Sequence, residues 1–247
     1  MTENKEETVQ QTPTPINPAI EKYLTTGAHI GTRFKSGDMG RYIYKQRRDG
    51  LKVLDVQVID QRVKQVGQFL AKYDPKKMVV VSRKLYGKTP AEEFATAIGC
   101  HAITGRFVPG TFTNAEGKEF IQPSLVIVTE PESDAQAIAE ASSVRAIVVG
   151  LASTNNVLKN IDVVIPVNNK GRKSLALIFW LLAKEVLKTR GDIAGDEQFT
   201  KTVEDFEYPL KDGEVEDNGQ RKRGRRDRKP FVNRYEEAAG LAGGDRN

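Results

Sequence analysis

A single α/β domain, with a five-stranded parallel sheet sandwiched between helical layers, is the fold this sequence predicts. Two observations predict it. Five short runs, at residues 52–56, 78–82, 125–130, 146–151 and 163–167, are β-branched and nearly continuous in apolar residues, as strands covered on both faces must be. Stretches of helical periodicity lie between them, and strand–helix–strand repeats require right-handed crossovers and a three-layer arrangement.

The elements follow in order. Residues 1–17 are polar and acidic, with Pro13 and Pro15 and no periodicity, and read as a disordered leader. The first helix, residues 59–73, carries Ile59, Val63, Val66, Leu70 and Tyr73 on one stripe and Lys64, Gln68 and Lys72 on the other face. Thr89-Pro90-Ala91-Glu92 has the form of a capping box with proline at the first helical position, and starts the second helix. Ser133 with Gln136 opens the third in the same way. The last helix, residues 173–190, has an apolar first half, Lys184, Lys188 and Arg190 toward its end, and Gly191 as its stop. Residues 18–191 thus form the domain, and residues 192–247 read as a charged extension.

Charge and composition narrow the function. The chain has 38 basic and 33 acidic residues, but the excess sits in the domain, where 26 basic face 16 acidic residues. Residues 192–219 are strongly acidic, and residues 221–229 form a basic run. A positive globular body points to a polyanionic partner, nucleic acid before membrane. Cys100 is the sole cysteine, which excludes an internal disulfide and a thiolate zinc cluster. With two histidines, His29 and His101, a protein metal site would need carboxylates for most of its ligands. The acidic, polar start lacks an apolar signal core, and the longest apolar run, residues 175–183, falls far short of a bilayer span. A soluble protein of a reducing compartment is expected.

One segment invites an enzymatic reading. Ser82-Arg83-Lys84-Leu85-Tyr86-Gly87-Lys88-Thr89 follows a strand and precedes a helix, as a phosphate-binding P-loop does. Yet Ser82 stands where the first glycine belongs, Leu85 and Tyr86 occupy the loop interior, and no strand offers the usual acidic magnesium ligand. The segment therefore reads as structural, with Arg83 and Lys84 as exposed charge. No dinucleotide fingerprint follows any strand. Cys100 reads as a small buried residue. His29, within Gly27-Ala28-His29-Ile30-Gly31, either contacts phosphate or satisfies a loop carbonyl.

The stronger chemistry is electrostatic. Residues 33–52 carry Arg33, Lys35, Arg41, Lys45, Arg47, Arg48 and Lys52 against Asp38 and Asp49, with Phe34, Tyr42 and Tyr44 interleaved. Cations neutralise phosphates and release counterions, and aromatics stack on unpaired bases. Lys170, Arg172 and Lys173 open the last helix, where cations oppose the helix dipole unless a phosphate sits against them. A Gly-, Thr- and Asn-rich loop at residues 105–114 adds Arg106.

Four separated stretches, TGAHIG at 26–31, YIYKQRRDGLKVLDV at 42–56, GRFVPGTFTN at 105–114 and IPVNNKGRK at 165–173, together resemble the ribosomal protein S2 family of the small subunit. The resemblance spans residues 18–190. It implies a flavodoxin-like sandwich without catalytic activity, cofactor, metal or small-molecule substrate, residing in the cytoplasmic ribosome. It further implies binding to small-subunit rRNA near the head–body junction and contact with other ribosomal proteins. Where bacterial members carry a long helical hairpin after the TFTN-like segment, only residues 115–123 intervene here, which resembles the archaeal and eukaryotic branch. Ser153 stands where the family commonly has aspartate. The expected phosphate contacts are Arg33, Lys35, Arg41, Lys45, Arg47 and Arg48, followed by Arg83, Lys84, Arg106, Lys170, Arg172 and Lys173.

Overall fold

Four of the expected apolar runs become strands of one parallel sheet. A computed structural model of the chain describes residues 18–193, 195 and 198–210. Helix α1 (Pro18–Thr25) leads through a 3-10 turn (Asp38–Tyr42) into strands β1 (Ile43–Gln46) and β2 (Lys52–Leu54). Then come α2 (Val56–Leu70), β3 (Met78–Ser82), α3 (Leu85–Ile98), β4 (His101–Thr104), β5 (Leu125–Val128), α4 (Ala135–Ser143), β6 (Ile147–Ala152), β7 (Val163–Pro166) and α5 (Arg172–Arg190). The main sheet has the order β4-β3-β5-β6-β7, all parallel. Every residue of β3 and of β5 is buried, which is why these strands read as unbroken apolar runs.

The sheet has two faces and two cores. Met78, Val80, Leu125, Ile127, Val149 and Leu151 pack with Ile59, Val63, Leu70, Phe94, Phe179 and Leu182 beneath α2, α3 and α5. Val79, Val81, Val126, Val128 and Val148 face the other way, onto Ala137, Ile138 and Ala141 of α4 and onto Phe107 and Phe112. Alternation along each strand divides its side chains between the layers.

The structure corrects three expectations. The run at residues 52–56 is not in the main sheet: Lys52–Leu54 pairs antiparallel with β1, because a short turn can join only antiparallel neighbours. Asp55 then caps α2, its carboxylate accepting the Gln57 amide at 2.9 Å. The fifth strand of the sheet is His101–Thr104, an edge whose His101 and Ala102 are exposed, so it carries no apolar signature. Helix α3 begins at Leu85, capped by Lys84, with Pro90 inside it; Glu92, expected in a capping box, instead accepts the Thr104 hydroxyl at 2.7 Å. The third helix likewise takes Asp134 as its cap rather than Ser133.

Part of the expected extension is folded. Phe206 is fully buried, Phe199 meets the rings of Trp180 and Phe206, and the Trp180 indole donates to the Lys201 carbonyl at 2.8 Å. Lys201 reaches Glu93 of α3 at 2.6 Å. The apolar residues in this stretch are too few and too spread to show periodicity. The leader at residues 1–17 and the basic run at residues 221–229 lie outside the described residues.

Candidate nucleic-acid interface

Parallel strands all end on the same rim, so the segments that follow them are gathered there whatever their separation in sequence. Arg83 and Lys84 follow β3, Arg106 follows β4, Lys159 lies between β6 and β7, and Lys170, Arg172 and Lys173 follow β7. The segment of residues 31–54, which includes the 3-10 turn and the β1–β2 hairpin and supplies the other six expected cations, is fastened to this rim. The Thr32 amide donates to the Thr154 hydroxyl at 2.8 Å, and the Ser36 amide to the Thr154 carbonyl at 2.8 Å. Asp38 accepts the Leu158 amide at 3.1 Å, and the Asn168 amide donates to the Ala28 carbonyl at 2.9 Å. Gly31 is required for this approach, since a Cβ there would lie 2.4 Å from the Thr154 methyl and 2.9 Å from the Lys52 carbonyl.

The hairpin itself is a ribbon with few burial contacts. Met39, Tyr42 and Leu54 root it in the core, while Tyr44, Lys45 and Gln46 of β1 are exposed. Its turn closes through the Arg47 amide on the Leu51 carbonyl at 2.8 Å and needs a left-handed residue, supplied by Gly50 at φ 85°. Arg33, Lys35, Arg41, Lys45, Arg47 and Arg48 are all exposed. Arg47 meets Asp49 only at 3.6 Å on the surface, a pair of little energetic weight.

The second group of cations divides. Arg83, Arg106, Lys170 and Lys173 are exposed. Lys84 is held by the buried Glu130 at 2.6 Å. Arg172 pairs with Glu207 at 2.9 Å and donates to the Tyr208 carbonyl at 3.1 Å, so it anchors the folded end of the chain. Two cations escaped the sequence reading. Arg62 of α2 and Lys159 line a groove of about 720 Å³ with Arg41, Tyr42 and Val157. The carboxylates in its wall are engaged: Asp38 as above, and Asp162 by the Val148 amide at 2.8 Å. Helical period marks Arg62 as peripheral, but only the tertiary fold brings it into one groove with Lys159.

The loop carrying Arg106 is tied to α4 through Glu140. The carboxylate of Glu140 accepts the Gly110 amide at 2.8 Å, the Phe112 amide at 3.1 Å and the Gln136 side-chain amide at 2.9 Å. Burial works against the charged carboxylate, but the donors of Gly110, Gln136, Phe112 and Thr113 outweigh it and hold its pKa below the usual range. Phe107 and Phe112 meet edge to face beneath the loop, ring centres 5.0 Å apart.

Doubly wound sheets bind nucleotides where the strand order reverses, here between β3 and β5. That crevice is filled by the protein itself. Asp134 accepts the Arg83 amide at 3.0 Å and the Glu130 amide at 3.2 Å, and the Ser133 hydroxyl donates to Glu130. Burial pushes the Asp134 carboxyl up to about 6 against those hydrogen bonds. Gly87 lies in the first turn of α3, where a Cβ would stand 2.3 Å from the Ser82 hydroxyl and 2.9 Å from the Thr129 methyl. The P-loop-like segment is therefore helix from Leu85 onward, set against two carboxylates rather than around a phosphate.

Catalytic alternatives fare no better in the geometry. Burial pushes the Cys100 thiol up to about 12 despite a backbone hydrogen bond and the Arg190 charge. His29 Nδ1 lies 3.3 Å from the Tyr23 carbonyl, to which it donates. Among the described residues no group of three or more His, Cys, Asp or Glu could hold a metal, and no helix is long and apolar enough to cross a membrane.

Comparison with known proteins identifies the family. The profile of the family described as Ribosomal protein S2 matches residues 118–189. The chain is also 44% identical, over 192 residues, to the small ribosomal subunit protein uS2 of the archaeon Staphylothermus marinus. That alignment covers 78% of this chain and 87% of the relative.

Proposed function

The chain belongs to the ribosomal protein S2 family, structural proteins of the small ribosomal subunit, and on that premise we propose that it binds small-subunit rRNA near the head–body junction through the carboxyl rim of its sheet. The binding is phosphate neutralisation and shape recognition, with no bond made or broken and no cofactor. One observation carries this reading above the others: the parallel topology and the anchored hairpin segment bring exposed cations from four separate stretches, residues 33–48, Arg83, Arg106 and residues 170–173, to one rim. Arg33, Lys35, Arg41, Lys45, Arg47 and Arg48 make the principal phosphate contacts. Arg83, Arg106, Lys170 and Lys173 extend the surface, with Arg62 and Lys159 in the groove beside Arg41. Lys84 and Arg172, tied to Glu130 and Glu207, support its shape. Other small-subunit proteins adjoin it in the cytoplasmic ribosome.

Sedimentation of a gentle cell lysate through a sucrose gradient tests the proposal. The protein is expected at unit stoichiometry in the small-subunit peak and is expected to stay there after a moderate salt wash. Recovery only at the top of the gradient would overturn it.

A further inference from the structure

Among the described residues, Phe34 and Tyr44 are the two most exposed of the large apolar side chains, at 78% and 68%. Both lie in the hairpin segment, and neither is there for the core. The third aromatic of that segment, Tyr42, does the packing: it is 6% exposed, with the Arg41 guanidinium 4.9 Å above its ring. A two-stranded ribbon has no third layer to cover Tyr44, and Phe34 stands in the loop before the ribbon. Cations flank each ring. Arg33 and Lys35 adjoin Phe34, and the Lys45 ammonium lies 5.9 Å from the centre of the Tyr44 ring.

We infer that Phe34 and Tyr44 are stacking platforms for unpaired RNA bases, so that the hairpin distinguishes a single-stranded segment from a helix. An exposed flat ring beside a cation takes a base on its face while the cation takes the adjoining phosphate. The bases of an RNA duplex are stacked on one another and lie at the bottom of a groove that side chains cannot read. A protein neighbour that buried these rings would have to desolvate the surrounding cations, whereas RNA neutralises them; charge complementarity therefore favours RNA. The inference rests on the RNA-binding reading of the rim and specifies which structural class of RNA the hairpin takes.

The test uses the full chain and fluorescence anisotropy with two labelled probes, an unstructured oligouridylate and a blunt RNA duplex of equal length. Phe34→Leu and Tyr44→Leu keep an apolar side chain and remove the π face, at positions whose exposure leaves the fold unaffected. Each is expected to weaken binding to the single strand about tenfold, to leave duplex binding unchanged, and to leave the salt slope on both probes unchanged. Tyr44→Phe is expected to bind as the native chain does. Equal losses on both probes, or none on the single strand, overturn the inference. Unchanged RNA binding with loss from the small-subunit peak also overturns it, in favour of a protein neighbour. Arg47→Ala with Arg48→Ala separates this from the underlying reading: if that variant leaves the salt slope unaltered on both probes, RNA binding by the hairpin itself fails.

Discussion

At the scale of single residues, Asp134 shows how a carboxylate can serve a fold while costing it stability. It stands at the N-terminal boundary of α4, but its carboxylate accepts the Arg83 and Glu130 amides across the β3–β5 junction rather than an amide of the helix. It also lies buried at 2% exposure beside Glu130, with its carboxyl pushed up to about 6. In the unfolded chain the same group ionises near 4. Between these values the native state holds a proton that the unfolded state has lost, so this group's contribution to stability falls as pH rises from about 4 to about 6. The fall is roughly 2–3 kcal/mol. Asp134→Asn removes the titration, and the wild-type-minus-variant difference in urea unfolding free energy is expected to decline over that interval. A difference that stays flat across it would refute the assignment. Local residue chemistry elsewhere was legible: Gly191, read as the stop of the last helix, caps α5 at φ 86°. The Thr89-Pro90-Ala91-Glu92 start signal was overruled, because Lys84 clasping Glu130 and Gly87 fitting under Ser82 and Thr129 start α3 at Leu85.

At the scale of elements, the segment closing the described chain is anchored by Arg172 on Glu207 and the Tyr208 carbonyl and docked through one fully buried side chain. Phe206 is the fully buried residue of its 3-10 turn, and the polar links around it, Lys201 to Glu93 and Trp180 to the Lys201 carbonyl, are partly solvated. Burial of the phenyl ring is therefore the main force docking the segment on α3 and α5. Phe206→Ala is expected to cost the docked segment about 3 kcal/mol. The chain has a single tryptophan, Trp180, whose indole and ring lean on that segment, so its emission should shift to the red in the variant. Native-like emission would show that the segment is held by something other than Phe206. Strands buried on both faces were easy to read for the same reason that Phe206 was not: β3 and β5 bury every consecutive residue, whereas a docked coil buries isolated ones.

At the scale of the whole molecule, charge and topology act together. The domain has ten more basic than acidic residues, and the sheet collects the exposed cations of its loops on one rim while Glu130, Asp134 and Glu140 are spent internally on backbone amides and Lys84. Such a surface binds by counterion release, with an affinity that falls steeply with salt. Arg47→Ala combined with Arg48→Ala removes two exposed charges at the hairpin turn. It is expected to weaken small-subunit association and to reduce the slope of log affinity against log salt by up to about two. A folded double variant with an unaltered slope would remove both residues from the contact surface.

By itself the sequence determined the fold class, four of the five central strands, the helical layers, the basic character of residues 33–48 and 170–173, and the weakness of the P-loop reading. These are local properties: burial on both faces leaves continuous apolar runs, amphipathic burial leaves a stripe, and exposed charge tolerates repetition. The tertiary structure alone decided that residues 52–54 form a hairpin, that His101–Thr104 closes the sheet at its edge, and that Tyr42 turns inward while Phe34 and Tyr44 turn out. It alone brought Arg62 and Lys159 into one groove and tied Arg172 to Glu207. Those outcomes depend on pairs of residues distant in the chain, such as Thr32 with Thr154 and Gly31 with the Lys52 carbonyl, whose contact energies are realised only once the sheet has brought its carboxyl ends together.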